Sequence, residues 1–266
     1  MAAKGDVAAE DNWPRDPFDY AMGSRDRDIG ALVAEALLLD RAQLAFQPVM
    51  TAGTPPRIAF YEGLIRLRDG AGRVLPAGSF IAQVEDNTIG RDIDCAALRL
   101  GLDMLARYPR LRLAINMSAR SIGDGRWRDI LGAGLARSAD IGPRLILEIS
   151  EASAMLLPEV VVRFMAELQP RGVCFSLDDF GAGLIAFRHL KDFLFDMVKI
   201  DSLFIRGIDV SADNQALTAA LLAVAHQFEM FAIAEGVETV AEADHLRKIG
   251  VDCLQGYLFG VPKATL

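Results

Sequence analysis

The sequence predicts an α/β barrel of the (β/α)8 type. Three observations carry that prediction. Short apolar runs alternate with longer amphipathic segments, there are eight such runs, and polar groups recur at their C-terminal ends. The 266 residues are 52% hydrophobic, enough for one large core, and α/β barrels of this length are commonly a single domain.

In chain order, residues 1–28 are polar and read as a tail or linker, and the barrel is expected over 29–266. Ile29–Leu39 has helical spacing of apolar residues. The expected strands are Leu44–Val49, Ile58–Ile65, Leu111–Asn116, Leu145–Ile149, Val173–Leu177, Met197–Ile200, Phe231–Ala234 and Asp252–Leu254. The expected helices are Phe80–Tyr108, Trp127–Ala136, Pro158–Leu168, Asn214–Phe228 and Val240–Ile249. The alternative topology is an open doubly wound sheet. It wants a glycine-rich phosphate loop after the first strand, and Phe46-Gln47-Pro48-Val49-Met50 is not one.

Composition narrows the function. The net charge of −8 argues against a basic surface for a nucleic-acid polymer. A small anionic substrate stays open if metal ions supply the positive charge. Cys95, Cys174 and Cys253 are odd in number and far apart, as expected of buried thiols in a reducing compartment. No apolar run is long enough to span a bilayer, and the first residues lack the apolar segment of a signal peptide. The expected location is the cytoplasm.

The chemistry gathers at the strand ends. Glu62, Asn116, Glu148, Lys199, Glu235 and Gln255 each lie at or near the end of an apolar run, and Glu151 follows three residues after Glu148. Asp178 and Asp179 stand side by side between Val173–Leu177 and the turn Gly181-Ala182-Gly183. In a barrel these ends converge on one face, where barrel active sites sit. Adjacent carboxylates repel, so they require cations, hydrogen bonds or water to stay ionised, and their side chains can face two different ions. Carboxylates plus an amide suit hard cations such as Mg²⁺ or Mn²⁺. His189, His226 and His245 show no ligand spacing, which disfavours zinc. Lys199 has three readings: orienting a water, offsetting phosphate charge, or forming a structural ion pair.

The run Glu62-Gly63-Leu64-Ile65-Arg66 resembles the signature of the EAL domain, the cyclic di-GMP phosphodiesterase family. The likeness continues through Gln47-Pro48, Asn116-Met-Ser118-Ala-Arg120, Glu148-Ile-Ser-Glu151 and Asp178-Asp179-Phe180-Gly181. It runs on through Val198-Lys199-Ile-Asp201, Ala234-Glu235-Gly236-Val237-Glu238-Thr239 and Gln255-Gly256-Tyr257. The resemblance implies a modified barrel whose first strand is antiparallel to its neighbour. It implies hydrolysis of cyclic di-GMP to linear pGpG with two Mg²⁺ or Mn²⁺ ions, in a homodimer. Glu62, Asn116, Glu148 and Asp178 would bind one metal and Asp179 the second, with Asp178 shared. Lys199 and Glu235 would position and deprotonate the attacking water, and Glu151 would steady the loop after the aspartates. Gln47, Leu64, Arg66 and Gln255 would contact the substrate.

The chain departs from the family pattern at four places. Gly63 replaces the usual alanine, and Leu67 stands where tryptophan is frequent. Leu184-Ile185-Ala186-Phe187 replaces a run with two serines, which should weaken the hold of Glu151 on that loop. Only a short run follows Pro262, so the helix that closes such barrels should be missing or very short. A weak or inactive cyclic di-GMP receptor that signals through a protein partner is the alternative function.

Overall fold

A computed structural model of the chain describes residues 17–183 and 190–266, with side chains from Asp28 onward. Among them are nine strands: β1 (Ala42–Thr51), β2 (Ile58–Arg68), β3 (Val74–Pro76), β4 (Leu113–Asn116), β5 (Leu145–Ser150), β6 (Cys174–Phe180), β7 (Met197–Ile200), β8 (Phe231–Ala234) and β9 (Cys253–Gln255). β3 pairs with β2 alone, while the other eight run β1-β9-β8-β7-β6-β5-β4-β2 and a β1–β2 ladder closes the barrel. β1 is antiparallel to both of its neighbours, β2 and β9. The remaining barrel pairs are parallel. The short link between β1 and β2, with Gly53, Pro55 and Pro56, fits this geometry, because a hairpin needs only a tight loop whereas a parallel crossover needs a dozen residues or more. Among the described residues no helix is long and apolar enough to cross a membrane.

The helices are α1 (Pro17–Leu38), α2 (Ile81–Val84), α3 (Thr88–Arg107), α4 (Gly125–Arg137), α5 (Glu151–Leu156), α6 (Pro158–Leu168), α7 (Ser202–Ile205), α8 (Ala212–Gln227) and α9 (Val240–Ile249). The helical backbone of α1 begins earlier than the apolar periodicity at Ile29, since a polar helical segment shows no such periodicity. The single helix expected over Phe80–Tyr108 is two. Asn87 interrupts it, and its side-chain oxygen accepts the Ile89 N–H at 2.8 Å, capping α3. Strand β3 was not expected. It folds back on β2 because Asp69 holds the turn, accepting the Ala71 and Arg73 N–H groups at 2.9 Å and the Arg73 guanidinium at 2.7 Å.

Strand alternation divides the apolar residues between two places. Val49, Phe60, Ala114, Ile146, Met197 and Ile233 form one buried cluster, which fills the barrel. Their neighbours in sequence, among them Ile115, Leu147 and Val198, join the larger core shared with the helices, as do Phe175 and Leu177 of β6. The three cysteines are unpaired and half-buried rather than fully enclosed, and burial pushes the Cys95 and Cys253 thiols up to about 11.

Gly63 belongs to this packing. A methyl group at position 63 would lie 2.9 Å from the Ile115 δ-methyl and 3.3 Å from the Ala114 carbonyl oxygen. Ile115 is already pressed onto Gly101 of α3 and is 1% exposed, so it has little room to yield. Restoring the family alanine with Gly63→Ala should therefore destabilise the chain by about 1 kcal/mol, the overpacking outweighing the backbone gain. Adding Ile115→Val should recover the loss in urea denaturation, and a Gly63→Ala chain more stable than the parent would refute the packing account.

Candidate active site

The polar residues reach one place by a step of two along each strand. Beyond the apolar cluster, Phe60 leads to Glu62, Ala114 to Asn116, Ile146 to Glu148, Met197 to Lys199 and Ile233 to Glu235. Cys253, packed on the same cluster, leads to Gln255. Strand β1 runs the other way, so the same step from Val49 goes back to Gln47, which lies opposite Glu62 in the β1–β2 ladder. All these side chains therefore meet at the C-terminal mouth of the barrel.

The aspartate pair is placed by a bulge. Strand β6 does not end at Leu177, as the glycines led one to expect, but continues to Phe180. Leu177 pairs with Val198 and Phe180 with Ile200, so β6 carries one residue more than β7 across this interval. Asp179 absorbs the extra residue at φ 56°, a left-handed conformation that aspartate tolerates better than most side chains. Glu151 lies behind the pair rather than in the groove. It is 1% exposed and accepts the Gly181 N–H at 3.0 Å, and Gly183 packs on the same carboxylate. The altered run 184–187 lies outside the described residues.

Lys199 is the electrostatic centre. Its ammonium is 2.6 Å from Glu235, 3.2 Å from Glu62, 3.3 Å from Asp178 and 3.4 Å from Glu148. Glu62 also accepts hydrogen bonds from Gln255 at 2.6 Å and Asn116 at 2.8 Å. Burial alone would raise Glu62, but Lys199 and these two amides hold it below the usual carboxylate range. Burial raises the other acids. Glu148 goes well above its ordinary value, the attraction of Lys199 being outweighed by desolvation with help from Glu62, Asp178 and Glu235. Glu235 is pushed up to about 8 and Asp179 to about 6, burial being the main cause in each and Asp178 adding to it. Lys199 rises well above the usual lysine range, because the four acids outweigh its own burial. One lysine cannot neutralise this many carboxylates, so the site holds protons that other cations can replace.

The donor set fits hard divalent cations. Asp178, Asp179 and Glu235 each bring a carboxylate oxygen to within 4.8 Å of the other two. Glu148 Oε1 and Gln255 Oε1 are buried acceptors without a hydrogen-bond partner among the described residues. Buried oxygen acceptors beside an acidic cluster fit the ligand chemistry of a hard divalent cation.

A groove crosses this mouth. One arm, of about 410 Å³, is lined by Glu62, Leu64, Asn116, Asp178 and Asp179 together with Asp94 and Ser118. The other, of about 300 Å³, is lined by Gln47, Lys199, Glu235 and Gln255 together with Arg206 and Tyr257. Leu64, Glu62 and Asp178 belong to both arms. Gln47 accepts from Gln255 at 3.3 Å and donates to the Gly260 carbonyl at 3.1 Å. Arg66 is set back from the lining; its guanidinium donates to the Ile65 carbonyl at 2.9 Å, and burial lowers its pKa. His226 is paired with Asp252 at 2.9 Å and His245 lies on α9; neither lines the groove, and His189 is outside the described residues.

Asp94, Arg206 and Tyr257 are among the groove residues that carried no signal at a strand end. Asp94 sits on α3, where its oxygen accepts the Ser118 N–H at 2.9 Å and the Ser121 hydroxyl at 2.6 Å. Burial, partly offset by these bonds, pushes it up to about 7. Only the packing of α3 against the sheet brings it to the groove.

Comparison with known proteins agrees with this geometry. The EAL domain family model matches residues 32–262. The cyclic di-GMP phosphodiesterase NbdA of Pseudomonas aeruginosa is 30% identical over 233 residues, covering 86% of this chain and 30% of that protein. The bifunctional diguanylate cyclase/cyclic di-GMP phosphodiesterase MucR of the same organism is 31% identical, covering 84% of this chain and 34% of its own length. The chain thus spans about a third of these relatives. Among solved structures, the MucR phosphodiesterase in complex with c-di-GMP superposes with a TM-score of 0.76 at 27% identity, covering 89% of this chain and 97% of that one. The FimX EAL domain of P. aeruginosa bound to c-di-GMP gives 0.79 at 26% identity, covering 90% and 97%. With its barrel, its strand-end carboxylates and a family match across most of its length, this chain belongs to the EAL domain family.

Proposed function

We propose that the chain hydrolyses one phosphodiester of cyclic di-GMP to give linear pGpG, lowering the level of this second messenger in bacterial signalling. The observation that carries the reading is the Lys199-centred acidic groove, with Glu235 at its edge and Asp178 shared between its two arms. Glu62, Asn116, Glu148 and Asp178 would hold one Mg²⁺ or Mn²⁺ ion, and Asp179, with Asp178 shared, a second. Such ions, when bound, polarise the phosphate and make water acidic enough to attack at neutral pH. Glu235, held 2.6 Å from Lys199, accepts the proton of the attacking water. Lys199 fixes Glu235 and balances the carboxylates. Gln47, Leu64, Arg66 and Gln255 contact the substrate, and Glu151 holds the turn after the aspartates. The chain acts in the cytoplasm as a homodimer, which a single monomeric mass across concentrations would contradict.

Incubation with cyclic di-GMP and Mn²⁺, followed by chromatography, tests this directly. Appearance of pGpG supports hydrolysis. Binding without pGpG sinks it in favour of a receptor that signals through a protein partner. Neither binding nor turnover rejects both readings.

The raised acids predict how pH and metal act on stability. In the fold, Asp179 keeps its proton to about 6 and Glu235 to about 8. The unfolded chain releases these protons near the ordinary carboxylate value of about 4. The folded state therefore binds more protons between these limits, so metal-free stability is fullest below about 4 and falls as pH rises from there, the loss being complete near 6 for Asp179 and near 8 for Glu235. Glu62, whose pKa is lowered, acts below this window. A divalent ion at 100 times its Kd should restore about 2.7 kcal/mol at the upper end. Thermal unfolding in EDTA and in Mn²⁺, at both ends of the window, checks this. A metal-free midpoint that climbs with pH would refute it.

A further inference from the structure

The groove holds a cation that no role above uses. Arg206 lines the arm shared by Glu235, Gln255 and Tyr257. It is exposed, and its guanidinium has no hydrogen bond or ion pair among the described residues, although Glu235 and Glu238 line the same arm. Its backbone is fixed on both sides. The Asn214 side chain donates to the Arg206 carbonyl at 3.0 Å, and the Gly207 N–H donates to buried Glu242 at 2.8 Å. A pinned backbone carrying a free, solvent-facing guanidinium is suited to meeting an anion from outside.

The other cations of the site are committed. Lys199 is 1% exposed and shared among four carboxylates. Arg66 is half-buried, bonded to the Ile65 carbonyl, and already read above as a substrate contact. The groove around them is acidic, and of the two cations lining this arm, Lys199 and Arg206, Arg206 is the one without an ion pair among the described residues. The ligand read above carries two phosphates. One is attacked at the acidic cluster; the other must rest in an acid-lined groove.

We propose that Arg206 binds the second phosphate of the cyclic dinucleotide, the one that is not cleaved. This rests on the cyclic di-GMP reading and makes Arg206 a specificity residue for ligands with two phosphates. A diester with one phosphate has no use for it.

The test measures cyclic di-GMP binding by isothermal titration in Ca²⁺, alongside hydrolysis of cyclic di-GMP and of bis(p-nitrophenyl) phosphate in Mn²⁺. Arg206→Ala should weaken cyclic di-GMP binding by about 10- to 100-fold, as loss of a charge-assisted contact does, and raise KM in step. The one-phosphate diester should be cleaved at the parent rate. Arg206→Lys should recover part of the loss, since the charge returns without the fork. Unchanged cyclic di-GMP binding in Arg206→Ala overturns the proposal, and so does an equal loss on both substrates, which marks a structural role. A parent chain that does not bind cyclic di-GMP instead fails the reading on which the proposal rests, and overturns both.

Discussion

Lys199→Met should unfold more easily than the parent by about 3 kcal/mol in metal-free buffer near neutral pH, the usual consequence of removing one partner from a buried ion pair. The ammonium is 1% exposed and within 3.4 Å of four carboxylates. Without it those acids face one another across a desolvated mouth, and the fold must protonate them or open. Mn²⁺ should recover most of the loss, because the cation enters the same field. Glu148→Gln is the informative control. The Glu148 carboxyl already lies well above its ordinary pKa, so an amide resembles its protonated form. Metal-free stability should then change little in Glu148→Gln while Mn²⁺ affinity drops. Denaturant unfolding with and without Mn²⁺ separates the two variants. A Lys199→Met chain as stable as the parent without metal would mean that the acids carry their protons regardless of the lysine.

Glu235→Ala should lower kcat for cyclic di-GMP by about 10²- to 10⁴-fold, the range expected on loss of a general base. KM should stay within a few-fold, because the lost interaction belongs to the transition state. Glu235 is suited to the role: its carboxylate is 2.6 Å from Lys199 and its side chain is 20% exposed, so water reaches it. The chain turns sharply behind it at Gly236, φ +66°, where an added Cβ would lie 2.6 Å from the Ser202 Cβ. The base is thus held at a fixed point above β8. An unimpaired Glu235→Ala enzyme would show that the base lies elsewhere, Asp178 and Asp179 each having a carboxylate oxygen within 4.8 Å of Glu235.

Much of the site was legible in the chain because a strand repeats every two residues. An apolar run that ends in a carboxylate or amide predicts both the strand and the mouth of the barrel, and Glu62, Asn116, Glu148, Lys199, Glu235 and Gln255 all follow that pattern. The pattern fails where chain geometry breaks the period. Glycines after Asp179 read as a turn, yet β6 continues through a bulge to Phe180. Asp94 and Arg206 lie in a helix and at a helix end, where nothing local distinguishes a groove residue from a surface one.

The sequence by itself determined the alternation of strands and helices, the identity of the acids and the family. Those depend on local periodicity and residue type, which a linear chain records. Only the tertiary structure decided that four carboxylates share one lysine, that Asp179 takes a left-handed turn, and that Arg206, unpaired among the described residues, lines the same groove arm as Glu235. Those depend on barrel closure, which brings residues 62 and 255 into hydrogen-bond contact across 193 positions of chain and sets how far each charge is removed from water.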